Sequence, residues 1–257
     1  MNKKTPYIGI TGFINQEQVQ NVLKNRNTHP SIVGRRLMVG VLVSSKTLQG
    51  IQNKWPLRYP KMTDLGSIFT NDEGCLNLVH FSSDNPTNLF DDLMQITQFA
   101  GENLHGFQLN MAWPDKEHLL RYKEKYPNAE FVLQVGHEAF SQKANDLTQI
   151  YQAVLGYDRA IDHILLDMSG GRGLDLDHQK IGSLVSEFSP ISYLGVGVAG
   201  GLSPENVQQK LLDIVNQYPD ISIDAEGKLQ AAHGGLDLSE VRKYLEASIP
   251  LFQGVRV

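Results

Sequence analysis

The chain has 257 residues, 41% hydrophobic and 20% charged, with a formal net charge of −5. That length fits one large α/β barrel as well as two small domains, and because no Pro/Gly/Ser-rich or charged stretch divides it, residues 1–257 are expected to form one domain. Scattered Lys and Arg carry no electrostatic footprint for nucleic acid, the single cysteine, Cys75, excludes a disulfide framework or a Cys-based zinc cluster and suits the cytoplasm, and no run of about 18 apolar residues is available to cross a membrane.

Short β-rich runs alternate with amphipathic helical stretches along the chain. Strands are expected at Tyr7–Thr11, Leu37–Val43, Leu76–Phe81, Gly106–Leu109, Phe131–Val135, His163–Asp167, Ser192–Val198 and Ile221–Asp224. Helical periodicity falls between them at Gln16–Asn25, Asn88–Asn103, Asp115–Tyr126, Ala139–Leu155, Gln179–Phe188, Pro204–Gln217 and Leu238–Ala247. A repeated βα order predicts a parallel sheet, and eight such units in about 250 residues predict closure into a (β/α)8 TIM barrel. The second unit is irregular: residues 44–70 hold Trp55, Pro56, Arg58, Tyr59 and Pro60 without a long helical period, and so long a loop in a compact domain is usually functional or mobile.

In such barrels the chemistry sits where strands end, at the C-terminal rim. Asp167 ends strand six and is followed by Gly170-Gly171-Arg172-Gly173. Strand seven runs into Gly200-Gly201-Leu202-Ser203-Pro204-Glu205, which reads as a helix start with Ser203 as N-cap and Pro204 at the first helical position. Backbone N–H groups at such a start suit an anion. Asp224 ends strand eight, and Lys228 follows it.

These residues resemble the phosphoribosylanthranilate isomerases. The similarity rests on Gly9-Ile10-Thr11, Pro56-Leu57-Arg58-Tyr59, Gln108-Leu109, Leu165-Leu166-Asp167 with Gly170-Gly171-Arg172-Gly173, Ala199-Gly200-Gly201-Leu202 with Pro204-Glu205-Asn206, and Asp224 with Gly235-Leu236-Asp237. The resemblance implies an Amadori rearrangement, in which one group protonates the ring oxygen of an aminated sugar phosphate and another removes a proton from C2. It places the aspartate acid on Asp167 and the arginine that holds the substrate carboxylate on Arg58. Two departures stand out. The position of the family's cysteine base falls on Ile8, which can exchange no proton, and the family's Ser-Ser-Gly phosphate loop is here Glu226-Gly227-Lys228. Cys75 begins strand three, at the end away from the reaction face.

The sequence therefore predicts a barrel that binds a small anionic metabolite, sugar-phosphate-like or carboxylated, with isomerase-type acid–base chemistry altered by the missing cysteine. The alternative is a catalytically silent ligand-binding barrel. Asp167, Glu226 and Asp224 are the proton-handling candidates; Arg58, Gln108, Gly171 and Arg172 are expected at the substrate; Gly200, Gly201, Ser203 and Lys228 are expected at a phosphate. His80 and His137 read as ordinary histidines. Neither a His-x-His pair on strand one nor a lysine inside any predicted strand is present, so neither a metal centre nor a Schiff-base site is expected. No cofactor and no membrane partner are expected, and a homodimer is compatible with this reading.

Overall fold

The computed structural model describes residues 3–83, 85–167 and 178–253. Eight parallel strands close into a barrel in sequence order: β1 Tyr7–Thr11, β2 Arg36–Ser44, β3 Cys75–Ser82, β4 Gly106–Leu109, β5 Glu130–Gly136, β6 His163–Asp167, β7 Gly195–Ala199 and β8 Ser222–Ala225. The helices are α1 Gln16–Leu23, α2 Ser45–Leu48, α3 Leu65–Ile68, α4 Leu89–Ala100, α5 Lys116–Lys125, α6 His137–Gln142, α7 Leu147–Leu155, α8 His178–Phe188, α9 Val207–Gln217 and α10 Leu238–Ser248. The βα alternation of the sequence is thus the architecture of the molecule.

The apolar residues split into two layers because strand side chains alternate sides. Tyr7, Met38, Leu76, Leu78, Val132, Leu165 and Ala199 fill the barrel interior. A larger set, which includes Ile8, Ile10, Val39, Val41 and Phe107 with helix residues such as Leu93, Ile96 and Leu211, packs between strands and helices. Polar side chains start several helices: Asn15, Asp115, Asp146 and Asp237 each accept a hydrogen bond from a first-turn N–H, an arrangement that satisfies donors the helix leaves unpaired.

The structure corrects three local expectations. The helix expected over Ala139–Leu155 is two helices, because Ala144 and Asn145 adopt φ of 52° and 56° and Asp146 then caps a new start. The helix expected from Pro204 begins at Val207, after a turn closed by the carbonyl of Ser203, which accepts from the N–H groups of Asn206 and Val207. In the irregular second unit, residues 44–70 form α2, a single 3-10 turn at Met62–Asp64 and α3. Ser44 and Thr47 make a reciprocal cap there, tied down by Asn53, whose Oδ1 accepts from Ser44 Oγ and whose Nδ2 donates to Thr47 Oγ1, both at 2.9 Å.

At the N-terminal end the barrel is plugged by charge. Arg36 makes a two-pronged ion pair with Glu130 at 2.8 and 2.7 Å, and His163 Nε2 stands 3.1 Å from the same carboxylate. Burial alone would push Glu130 up, but its hydrogen bonds to His163 and Arg36 outweigh burial and hold it well below the usual carboxylate range. Gly195 is required beside this plug, since a Cβ there would lie 2.1 Å from His163 Nδ1. No described helix is long and apolar enough to cross a membrane.

Candidate functional site

A cavity of about 270 Å³ opens at the C-terminal mouth, lined among others by Arg58, His80, Gln108, Gln134, Asp167 and Asp224. Five of these, His80, Gln108, Gln134, Asp167 and Asp224, come from strands whose inward positions meet there. β6 ends on Asp167, which pairs in register with Ala199 of β7, and Ala199 in turn pairs with Asp224 of β8. Asp224 and Asp167 are buried, at 4% and 7% exposure.

A hydrogen-bonded chain links the two carboxyl groups. Asp224 Oδ1 accepts from Thr11 Oγ1 at 3.4 Å and its Oδ2 from Gln108 Nε2 at 3.2 Å. Gln108 Nε2 stands 3.5 Å from Gln134 Oε1, and Gln134 Nε2 donates to Asp167 Oδ2 at 2.9 Å. Room for Thr11 in this chain depends on Gly40, where a Cβ would lie 2.4 Å from Thr11 Oγ1. Burial pushes the Asp224 carboxyl up to about 7, with the Gln108 hydrogen bond opposing and the charge of Asp167 adding to the rise. A carboxyl that is half ionised near neutrality can give or take a proton with equal ease.

On the opposite side of the mouth Arg58 reaches across from the 44–70 loop. It pairs with Glu226, 168 residues away in sequence, and, with the Gln230 amide oriented to accept, it donates to Gln230 from Nε and an NH2 group at 2.8 Å. Burial lowers the Arg58 guanidinium below its usual range. His80 Nδ1 lies 3.6 Å from the other oxygen of Glu226, but burial, and then the charge of Arg58, push His80 down to about 4. At neutral pH it is uncharged, so that approach is not an ion pair.

The predicted site residues divide into those that converge and those that do not. Asp167, Asp224, Glu226, Arg58, Gln108, Gly200, Gly201 and Lys228 all line the mouth. Gly200 and Gly201 adopt φ of 116° and 62°, backbone that glycine reaches without steric cost. Ser203 is a correction: it does not cap a helix, and its N–H is already taken by Asn206 Oδ1 at 2.8 Å, while Asn206 Nδ2 donates to the Gly201 carbonyl at 2.9 Å. Its own hydroxyl donates to Glu205 at 2.7 Å. Gly171 and Arg172 lie outside the described residues. Gln134, Thr11, Gln230 and His80 are site residues that sequence reasoning missed or set aside. The available signal was a polar residue at an inward position of an otherwise apolar strand, as in Leu133-Gln134-Val135.

Ile8 is the second correction. Its side chain is fully buried in the layer between strands and helices, so it never faced the mouth. The inward position of β1 is Gly9, where a Cβ would lie 2.6 Å from Asp224 Oδ1 and 2.7 Å from Met38 Cε. Cys75 sits where β3 begins, in register with Leu37, remote from the mouth. Among the described residues, the one convergent set of metal-type ligands, His29, Asp72 and Cys75, also lies away from the mouth.

No protein-family model and no curated protein sequence matches the chain. Solved structures do. Phosphoribosylanthranilate isomerase from Thermotoga maritima is 18% identical with a TM-score of 0.62, over 95% of this chain and 98% of that one. A phosphoribosylanthranilate isomerase in complex with reduced 1-(o-carboxyphenylamino)-1-deoxyribulose 5-phosphate is 17% identical with a TM-score of 0.61, over the same shares. Triosephosphate isomerase from Bartonella henselae is 10% identical with a TM-score of 0.53, over 95% of this chain and 99% of that one. At such identities the likeness is one of architecture, and the chain has the (β/α)8 barrel fold that the phosphoribosylanthranilate isomerases have.

Proposed function

We propose that the mouth of this barrel binds a small anionic metabolite, sugar-phosphate-like or carboxylated, and carries out isomerase-type proton transfer with Asp224 and Asp167 as the acid–base pair. The observation that carries this reading is Asp224: a fully buried carboxyl held near neutrality, joined through Gln108 and Gln134 to a second carboxyl on the same rim. Acid and base for such a rearrangement must face one substrate from different strands, and β6 and β8 supply them. Asp224 suits the base role better than Glu226, because both oxygens of Glu226 already face Arg58 and His80. Since Asp224 approaches from β8, and β1 offers Gly9 without a side chain, the proton it removes need not be the one a cysteine on β1 would reach.

Anion binding in this reading falls to Gly200, Gly201, Lys228 and Arg58, with Gly171 and Arg172, which follow β6 in the sequence, as further candidates. The ligand seen in the isomerase complex carries both a carboxylate and a phosphate, the two groups these donors suit. An incoming anion has to displace Glu226 from Arg58, which lowers affinity for any ligand that cannot compete with a built-in carboxylate. The same ion pair is what favours the second reading, a catalytically silent barrel. The working setting we assign is a cytoplasmic single-domain protein, with a homodimer as the candidate assembly and no cofactor.

Ribose 5-phosphate and inorganic phosphate, titrated at pH 7.5 and followed by thermal stability and amide shifts, test the site. Binding should raise Tm and move the Gly200, Gly201 and Gly227 signals, with ribose alone as the inactive control. Growth of a tryptophan auxotroph that lacks the isomerase then separates the readings. Slow, Asp224-dependent rescue supports altered catalysis, and binding without any rescue supports the silent barrel. Absence of binding overturns both.

A further inference from the structure

The N-terminal rim carries a second cluster of chemistry-bearing side chains. β3 starts at Cys75, whose N–H donates to the Asp72 carbonyl at 2.9 Å, while Asp72 Oδ1 accepts from the Gly74 N–H at 2.9 Å. That tight turn carries the Asp72 carboxylate back beside the thiol. His29 arrives from the other side, ahead of the 3-10 turn Pro30–Val33, with its ring oriented by Ser31: Nδ1 takes the Ser31 N–H at 3.2 Å and lies 2.7 Å from Ser31 Oγ. The opposite ring edge presses on Gly74, where a Cβ would lie 2.6 Å from His29 Cε1 and 3.4 Å from Nε2. Gly74 is not at positive φ, so it is the close approach of the imidazole, not the backbone, that a side chain would forbid.

We propose that His29, Asp72 and Cys75 form a zinc-binding site on this rim. One ligand atom from each lies within 4.8 Å of the other two. Three atoms so spaced have a common point at most about 2.8 Å from each, and zinc takes sulfur at about 2.3 Å and nitrogen or oxygen at about 2.0–2.2 Å. Side-chain shifts of under about 1 Å would therefore close the site. One thiolate, one imidazole and one carboxylate suit zinc, whereas magnesium and calcium prefer oxygen ligands throughout. His29 and Cys75 are each 2% exposed, and the half-exposed Asp72 gives the route of entry. On binding, the Cys75 thiol releases its proton to solvent, and His29, bound through Nε2, carries its remaining proton on Nδ1, which gives up the Ser31 N–H and donates to Ser31 Oγ instead. The ion would clamp the segment before β2 to the start of β3, at the end of the barrel where residues serve stability.

Because Cys75 is the single cysteine of the chain, the full protein supplies its own spectroscopic test. Metal-free protein titrated with Co2+ should show one equivalent bound with a thiolate-to-cobalt charge-transfer band, and Zn2+ at a hundredfold excess over its Kd should raise Tm by roughly 5–10 °C. Cys75→Ala should abolish the band and Asp72→Asn should weaken binding at least tenfold. No band in the wild-type protein, or zinc affinity unchanged by Cys75→Ala, overturns the proposal. Should Cys75→Ala fail to fold, the wild-type band decides alone, since surface histidines cannot produce it.

Discussion

Asp224→Asn should make the protein more stable at alkaline pH and change it little at acid pH. Folded Asp224 titrates at about 7 against an ordinary value of 3.8, so between those values the folded state holds a proton that the unfolded chain has lost. Stability then falls as pH rises across the window and is flat above it. Three units at about 1.4 kcal/mol each give a loss of about 4 kcal/mol between pH 4 and pH 8, a large share of ordinary domain stability. Asparagine is a fair mimic of the neutral acid: Oδ1 can keep the Gln108 hydrogen bond and Nδ2 can donate to Thr11 Oγ1. Urea unfolding of both proteins from pH 4 to pH 9 measures the difference, in which most other titrations cancel. The stability gap should widen by about 4 kcal/mol across this range, or roughly 8–16 °C in Tm. Asp167→Asn in the same series should shrink the effect, because the charge of Asp167 is part of what raises Asp224. A gap independent of pH would refute the reasoning, since Asp224 would then titrate alike in both states.

Gly195→Ala should cost at least about 3 kcal/mol in urea unfolding, because overpacking adds to the loss of the His163–Glu130 contact; a cost under about 1 kcal/mol would contradict the packing of the barrel floor. Glu226→Gln should tighten ribose 5-phosphate binding by roughly tenfold by releasing Arg58 from a charged partner, and Arg58→Ala should weaken it; isothermal titration showing both variants equal to wild type would remove Arg58 from the site. In a Cys75→Ala background, Ile8→Cys should leave isomerase activity unchanged and its thiol unreactive until the protein unfolds, because position 8 faces the helices; rapid labelling in the native protein would place it at the mouth after all.

The fold was legible because strand and helix periods alternate cleanly, and the strand ends Asp167 and Asp224 marked the mouth in advance. What failed has local causes. The start of α9 was misread because Asn206, not Ser203, organises the turn: its side chain holds both Ser203 N–H and the Gly201 carbonyl. The break between α6 and α7 lay in two residues that accept left-handed backbone without being glycine. The resemblance around Gly9-Ile10-Thr11 puts the family's base on Ile8, whereas a strand reverses the facing of its side chains at every residue, so a shift of one moves a residue from mouth to helix layer. The Arg58–Glu226 pair had no sequence signal, since it joins a loop to a strand end across most of the chain.

The two ends of the barrel differ in how their buried charges are met. At the floor, the Glu130 carboxylate meets the Arg36 guanidinium and His163 Nε2 and is held ionised by these contacts. The charge of this carboxylate is answered within the fold. At the mouth, Asp224 faces another carboxyl instead of a cation, and its burial is offset only by neutral donors. That arrangement costs stability, and a sequence that only had to fold could relieve it by replacing Asp224 with a residue that carries no charge. The charges of the floor answer one another; those of the mouth are what the proposed ligand, accepting a proton from Asp224 or returning one to it, would account for.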